Sequence, residues 1–263
     1  MDLMLVFRAA FSLISLKCRC PKRIDAAQRH GSPPAHTLSK LEIVVKHAVI
    51  FAHPNKQNFA GSVAVAYGKD SETQGHTAVT RDLYRMNFRP CLQSEELPFL
   101  DGGKPHADVV AERTLLRDVD VFVLVYPLWL GTLPAVMKGY LERVFGYGFS
   151  YGKSGRSEPL LGGRKLITFS SSGAPLYWME KIGAFGAIKT LFDQYFSDVC
   201  GLTFVDHVHF GGITPGIRED AVETRLAEVQ DTVAKHFGST EYHDEYSHRA
   251  QPHRWIFRRG PIP

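Results

Sequence analysis

Three short segments concentrate the residue types that can do chemistry. The first is His53-Pro54-Asn55-Lys56-Gln57-Asn58-Phe59, which follows the apolar run His47–Ala52 and precedes a helical pattern. Free backbone N–H groups at a helix start, with His53, Lys56 and Asn58 as donors, suit an anion such as a phosphate. The spacing fits neither a P-loop nor a G-x-G-x-x-G turn, and a plain turn capped by Asn58 accounts for the same residues. The second segment is Tyr126-Pro127-Leu128-Trp129-Leu130-Gly131-Thr132. It is flat and apolar, so it suits a planar aromatic ligand, or else packs beneath a helix. The third is Ser170-Ser171-Ser172-Gly173-Ala174-Pro175, followed by Tyr177 and Trp178. Small hydroxyl residues and glycine leave backbone N–H groups for a polar ring edge, or form a simple strand-to-helix turn. Each signal is weak alone. Together they describe one crevice, with phosphate at the first loop, a flat ring on the second and its polar edge at the third.

The elements that must position these loops alternate. The apolar runs His47–Ala52 and Asp120–Tyr126, the alternating Thr77–Leu83, and Arg164–Ser170 and Thr203–Gly211 read as strands. Between them, Phe59–Lys69, His106–Arg117, residues 132–146, Ala184–Phe196 and Glu219–Phe237 carry helical spacing. Continuous apolar strands alternating with helices imply a doubly wound parallel sheet covered on both faces. In such sheets ligands sit outside the carboxyl ends of the strands, where the three loops fall. Val121–Met137 is an uncharged run of 17 residues, but Pro127, Gly131 and Pro134 make it strand, loop and helix start rather than a membrane span.

Composition narrows the class. The 263 residues are 44% hydrophobic and 22% charged, with four cysteines. That excludes a wholly disordered chain, a polytopic membrane protein and a disulfide scaffold. The 31 basic and 27 acidic residues give +4. Residues 1–45 hold seven basic against three acidic side chains, and the core from 46 to 238 holds 20 against 21. The core therefore lacks a nucleic-acid footprint. The N-terminus, MDLMLVFRAAFSLISLKCRC, is a disordered extension or misassigned start, a membrane-touching amphipathic segment that would give weak membrane association, or a targeting peptide. Cys18 and Cys20 read as ordinary thiols, and residues 239–263 as an exposed C-terminal arm. Cys200 reads as a small core hydrophobe. His207 and His209 share a strand face without a third metal ligand.

Two blocks carry a family likeness. The stretch from Ala52-His53-Pro54 to Asp82-Leu83-Tyr84-Arg85-Met86-Asn87-Phe88, and Pro127-Leu128-Trp129 through Pro134-Ala135-Val136-Met137-Lys138-Gly139-Tyr140 to Glu142-Arg143-Val144-Phe145, resemble the flavodoxin-like NAD(P)H:quinone oxidoreductases, the DT-diaphorase family and its bacterial relatives. The likeness covers about residues 46–238. It implies an α/β flavodoxin-like fold with a five-stranded parallel sheet in the order 2-1-3-4-5. It also implies a bound flavin (FMN or FAD, left open), NAD(P)H as hydride donor, a quinone-like acceptor, a homodimer and a cytoplasmic setting. By the same likeness, His53, Asn58 and Phe59 hold the ribityl-phosphate end. Pro127, Leu128, Trp129 and Leu130 lie against the ring, and Ser171, Ser172 and Gly173 meet its polar edge. Tyr177 is the expected catalytic hydrogen-bond donor and Tyr151 a substrate-pocket aromatic. Gly183 stands where mammalian members carry a histidine, so another group must balance charge. The Glu142-Arg143 pair reads as structural, solvated or facing a dimer partner. Lys153 and Arg156 are the only hints of a 2′-phosphate site. A flavin-binding ancillary subunit of a potassium-efflux system is the alternative.

Overall fold

The computed structural model describes residues 44–97, 103–153 and 156–238. The N-terminal extension before residue 44, including Cys18 and Cys20, and the C-terminal arm lie outside the described residues.

The strands are β1 (Lys46–Phe51), β2 (Thr77–Asp82), β3 (Val121–Pro127), β4 (Tyr151–Lys153), β5 (Arg156–Pro159), β6 (Lys165–Ser171) and β7 (Thr203–Phe210). The helices are α1 (Phe59–Thr73), α2 (Ala107–Leu115), α3 (Ala135–Val144), α4 (Leu176–Lys181), α5 (Ala184–Ile188), α6 (Tyr195–Cys200) and α7 (Glu219–Phe237), with a π-helical segment at Lys189–Gln194 between α5 and α6. Five strands form one parallel sheet in the order β2-β1-β3-β6-β7. With the small antiparallel β4–β5 hairpin set aside, this is the 2-1-3-4-5 order that the likeness implies.

The sheet is buried on both sides because alternate residues of each central strand face opposite cores. From β3, Phe122, Leu124 and Tyr126 pack toward α2 and α3 with Met137, Tyr140 and Leu141. Val121, Val123 and Val125 pack toward α1 and α7 with Val63, Tyr67, Val229 and Val233. Each such side chain contributes about 2 kcal/mol by leaving water. The uncharged 17-residue run is therefore β3, a loop and the start of α3.

Two features fix α3, which carries the second loop. At Gly139, a Cβ would fall 2.1 Å from the Pro90 carbonyl, so only glycine lets the 88–97 loop lie on the helix. Arg143 is the other. The Glu142-Arg143 pair is not a solvated pair of partners. Glu142 bonds Lys138, one turn earlier, while Arg143 is 3% exposed. Its guanidinium donates to both oxygens of Glu96 (2.8 and 3.0 Å), to both of Asp108 (2.8 and 3.0 Å) and to Arg89 O (2.6 Å). Burial opposes its charge, but the bonds to Glu96 and then Asp108 outweigh it and push its pKa up. One side chain thus ties the 88–97 loop and α2 to α3.

Candidate functional site

In a parallel sheet all carboxyl ends share one edge. Since β1, β3 and β6 are neighbours, the loops after them must meet there. Backbone bonds show that they do. Ala52 N–H donates to Val125 O at 3.2 Å, and Leu128 N–H donates to Ser171 O at 2.7 Å. The rings of His53 and Trp129 lie 5.9 Å apart, joining the first loop to the second.

In the first loop, Asn58 is the N-cap of α1. Its Oδ1 accepts from Gly61 N–H at 2.7 Å and its Nδ2 donates to Asn55 O at 2.7 Å, so one side chain closes the helix and folds the loop over it. Phe59 begins the helix with its ring edge-on to Phe210, 5.3 Å away. His53 Nδ1 accepts from Asn55 N–H at 3.2 Å, leaving Nε2 to donate outward. Partial burial holds the His53 pKa below its ordinary value. The first turn of α1 contains no acidic residue, so nothing there competes with an anion for the helix end. A cation stands behind the loop. Arg85 Nη2 donates to Pro54 O at 2.9 Å. Arg85 was not singled out among the sequence-predicted site residues, though it lies in the DLYRMNF block. A groove of about 840 Å³ runs from Lys56, Gln57 and Asn58 between α1 and α7, beside the three loops rather than over them.

The second loop is a tight turn. Trp129 and Thr132 exchange both backbone bonds, at 3.0 and 3.2 Å. Leu130 (φ 52°) and Gly131 (φ 77°) occupy its two central positions, both left-handed as a mirror-image turn of this kind requires. Glycine accepts that backbone freely and leucine does not. Leu130 is fully exposed and Trp129 is 41% exposed, so this loop does not pack beneath a helix. Pro127 and Leu128 are half-buried beneath it.

The third loop is more engaged than its composition suggests. Ser171 is buried as the last residue of β6. Ser172 spends its N–H on Phe210 O (3.0 Å), and its hydroxyl lies 2.9 Å from both Ala174 O and His209 Nε2. Only exposed Gly173 and half-buried Ala174 remain to offer backbone donors. Tyr177 is 71% exposed on α4, just beyond this loop. A Cβ at Gly183 would meet nothing within 4 Å.

Tyr151 does not join the crevice. It opens β4, in the hairpin between the end of α3 and the start of β6, at the amino edge of the sheet. There its ring packs edge-on against Tyr147 at 6.4 Å. The Lys153 and Arg156 side chains lie outside the described residues.

The site also holds a buried polar chain that pattern reading did not assemble. Thr168 Oγ1 donates to Asp193 Oδ1 (3.0 Å), and Asp193 Oδ2 lies 2.6 Å from His207 Nδ1. His207 Nε2 lies 2.6 Å from Ser170 Oγ, which lies 2.8 Å from His209 Nδ1. The alternation of His207 and His209 was the sequence signal. Asp193 and Ser170 come from other elements. Cys200 is buried in the core as expected, and burial pushes its thiol pKa up to about 11.

Residues 45–236 match the family described as having a flavodoxin-like fold. The chain belongs to that flavodoxin-like family. It is 33% identical over 195 residues to an "Uncharacterized NAD(P)H oxidoreductase" of Haemophilus influenzae, covering 73% of this chain and 96% of that protein. It is 27% identical over 233 residues to a ribosyldihydronicotinamide dehydrogenase-like protein of Penicillium crustosum, covering 79% of this chain and 85% of that one. Among solved structures, the NAD(P)H:quinone oxidoreductase from Methanothermobacter marburgensis superposes with a TM-score of 0.62 at 27% identity, covering 72% of this chain and 96% of that chain. The family match covers the stretch that builds the sheet and its three loops.

Proposed function

We propose that this chain is a flavin-dependent NAD(P)H dehydrogenase that reduces quinones or similar two-electron acceptors. The observation that carries this reading is the meeting of three chemically distinct loops at one sheet edge: a donor-rich helix end without carboxylates, a stiff turn with an exposed tryptophan and leucine, and a small-residue loop. The NAD(P)H oxidoreductases and quinone oxidoreductase to which it is similar support it.

The residues present fit a flavin by the chemistry of their donors. The start of α1, with His53 Nε2 and Asn58, would hold the phosphate end, and Lys56 and Arg85 would offset its charge. Pro127, Leu128, Trp129 and Leu130 would lie against the ring face. Gly173 and Ala174 would meet the polar edge. A bound flavin supplies the two-electron chemistry, accepting hydride from NAD(P)H and donating it to the acceptor. The protein's own part is to orient, to exclude water and to place protons. The Trp129–Thr132 bridge keeps the apolar turn rigid, so a stacked substrate meets a preformed surface. Tyr177, exposed on α4, would donate its hydroxyl proton in a hydrogen bond to the site's polar edge. A second copy of the chain would supply Tyr151, since its own chain holds it at the opposite edge. A homodimer follows from that reading. Among the described residues, no helix is long and apolar enough to cross a membrane.

The test is steady-state turnover of a water-soluble benzoquinone with NADH and NADPH, at several fixed acceptor concentrations. Parallel reciprocal plots, the mark of donor and acceptor using one site in turn, are the expected result. Tightly bound flavin with negligible turnover, and recovery of the protein on membranes, would instead favour an ancillary subunit.

A further inference from the structure

The buried polar chain beneath the third loop has a direction. It runs from Asp193 through His207, Ser170 and His209 to Ser172, and Ser172 lies in the crevice. Asp193, His207, Ser170 and His209 are all buried. Desolvating a carboxylate and two imidazoles is costly, and apolar residues of similar volume would hold the two strands together at least as well. Asp193 also sits in the π-helical segment, which carries its carboxylate inward to Thr168 and His207. Such segments recur at functional sites.

Each bond from Ser172 to His207 can be written in two orientations, while His207 Nδ1–H donates to Asp193 in both. In one, Ser172 Oγ–H donates to His209 Nε2, His209 Nδ1–H to Ser170 Oγ, Ser170 Oγ–H to His207 Nε2, and His207 Nδ1–H to the Asp193 carboxylate. In the other, His207 is doubly protonated and donates from Nε2 to Ser170, Ser170 donates to His209 Nδ1, His209 Nε2–H donates to Ser172 Oγ, and Ser172 donates to Ala174 O. The Ala174 carbonyl is in place for this, 2.9 Å away. The two states differ by one proton. It enters at Ser172 and appears on His207, and the Asp193–His207 pair passes from −1 to neutral.

Resting on the flavin reading above, we propose that this chain of residues is a one-proton store for the reaction, filled and emptied through Ser172 Oγ. Reduction of a quinone to its hydroquinone takes a hydride and one proton. NAD(P)H supplies the hydride, which brings negative charge into the crevice without a proton. The store takes a proton from solvent through Ser172 at that stage and returns it when the acceptor is reduced, so atoms and charge balance over the cycle. Asp193 and His207 are positioning residues, acting on the site through Ser170, His209 and Ser172. His209 conducts rather than stores. Burial, with His207 beside it, lowers its pKa to about 4.

The groups facing the store are few. Buried Tyr126 on β3 lies close enough to Asp193 to feel its charge, and burial raises its phenol pKa well above the ordinary value. On the helical side, the Phe185 ring is 5.1 Å from His207, and Lys189 Nζ lies over that ring at 5.6 Å. Met179 Sδ lies 3.4 Å from Ser172 Oγ, and Asp206 Oδ1 accepts from His207 N–H at 2.8 Å.

The test is ¹⁵N-histidine NMR on the flavin-loaded full chain, oxidised and then reduced anaerobically with dithionite. Proton uptake is read in parallel by an indicator dye in weak buffer. The expected result is that His207 passes from one protonated nitrogen to two on reduction. Ser170→Ala, which breaks the chain in its middle, should abolish that change and lower uptake by close to one proton per two electrons. Flavin bound with His207 unchanged on reduction overturns the proton store alone. No bound flavin overturns the reading beneath it, and this inference with it. Should Ser170→Ala fail to fold, the histidine spectrum of the parent decides.

Discussion

Leu130→Gly separates two accounts of the second loop by the sign of its effect. Leu130 holds a left-handed backbone (φ 52°) in the tight turn, and its side chain is fully exposed. A left-handed conformation costs an L-residue roughly 1–2 kcal/mol. Glycine removes that strain but gives back about 0.5–1 kcal/mol through its freer unfolded chain. No burial is lost, because none is present. The net effect is a gain of about 0.5–1 kcal/mol, or roughly 1–4 °C in Tm for a domain of this size. A strained, exposed apolar residue persists where it serves a ligand. Half-covering a leucine is worth about 1 kcal/mol, so the acceptor KM should rise roughly fivefold. Thermal melts of the flavin-free chain followed by circular dichroism, beside quinone kinetics of the loaded chain, measure both. A fall in Tm would refute the first half by showing that Leu130 is packed in the free protein. A higher Tm with unchanged KM would refute the second.

Three further outcomes follow from other parts of the structure. His47 is buried among Tyr67, His76 and Phe237, and burial, with His76 and Lys165 nearby, lowers its pKa to about 3. The unfolded imidazole binds a proton that the folded one refuses. Its contribution is therefore complete above pH ~6.5 and lost toward pH ~3, amounting to about 2 kcal/mol between pH 7 and 5; urea unfolding at both values should show a loss that His47→Gln reduces. Arg143→Met leaves the buried Glu96 carboxylate unpaired and should cost about 3–5 kcal/mol in urea unfolding, whereas Lys138→Ala at an exposed pair should cost under ~1 kcal/mol. Asn58→Ala loses the cap, about 1 kcal/mol, while Asn58→Asp keeps the cap oxygen for Gly61 N–H but gives up the donor to Asn55 O and brings a carboxylate to the helix end, so flavin affinity by fluorescence titration should fall in both.

The central strands were legible because they are buried on both faces and read as largely apolar runs. Val121–Val125 and Leu166–Phe169 admit little else. Helix α7 was legible from periodicity alone. Elements fixed by distant partners were not. The single helix expected over Ala184–Phe196 divides into α5, the π-helical segment and the start of α6, and Asp193 within it bonds Thr168 and His207 from two strands. The β4–β5 hairpin and α4 are too short and too rich in glycine and proline around them to show a period. Arg143 is structural as expected, but its burial did not show in the sequence for the same reason, because Glu96 and Asp108 lie far away along the chain. Within the site, composition located the three loops. It did not show that the Ser172 hydroxyl is already engaged, nor that Tyr151 sits at the opposite edge.

The central claim is that the three loops form a flavin site working with a nicotinamide. The most direct measurement is the visible spectrum of the purified full chain, before and after anaerobic addition of NADH or NADPH, with the released cofactor identified by mass. The account predicts flavin absorption that bleaches with a nicotinamide, and the mass decides FMN or FAD. A chain that takes up no flavin even on reconstitution would contradict it.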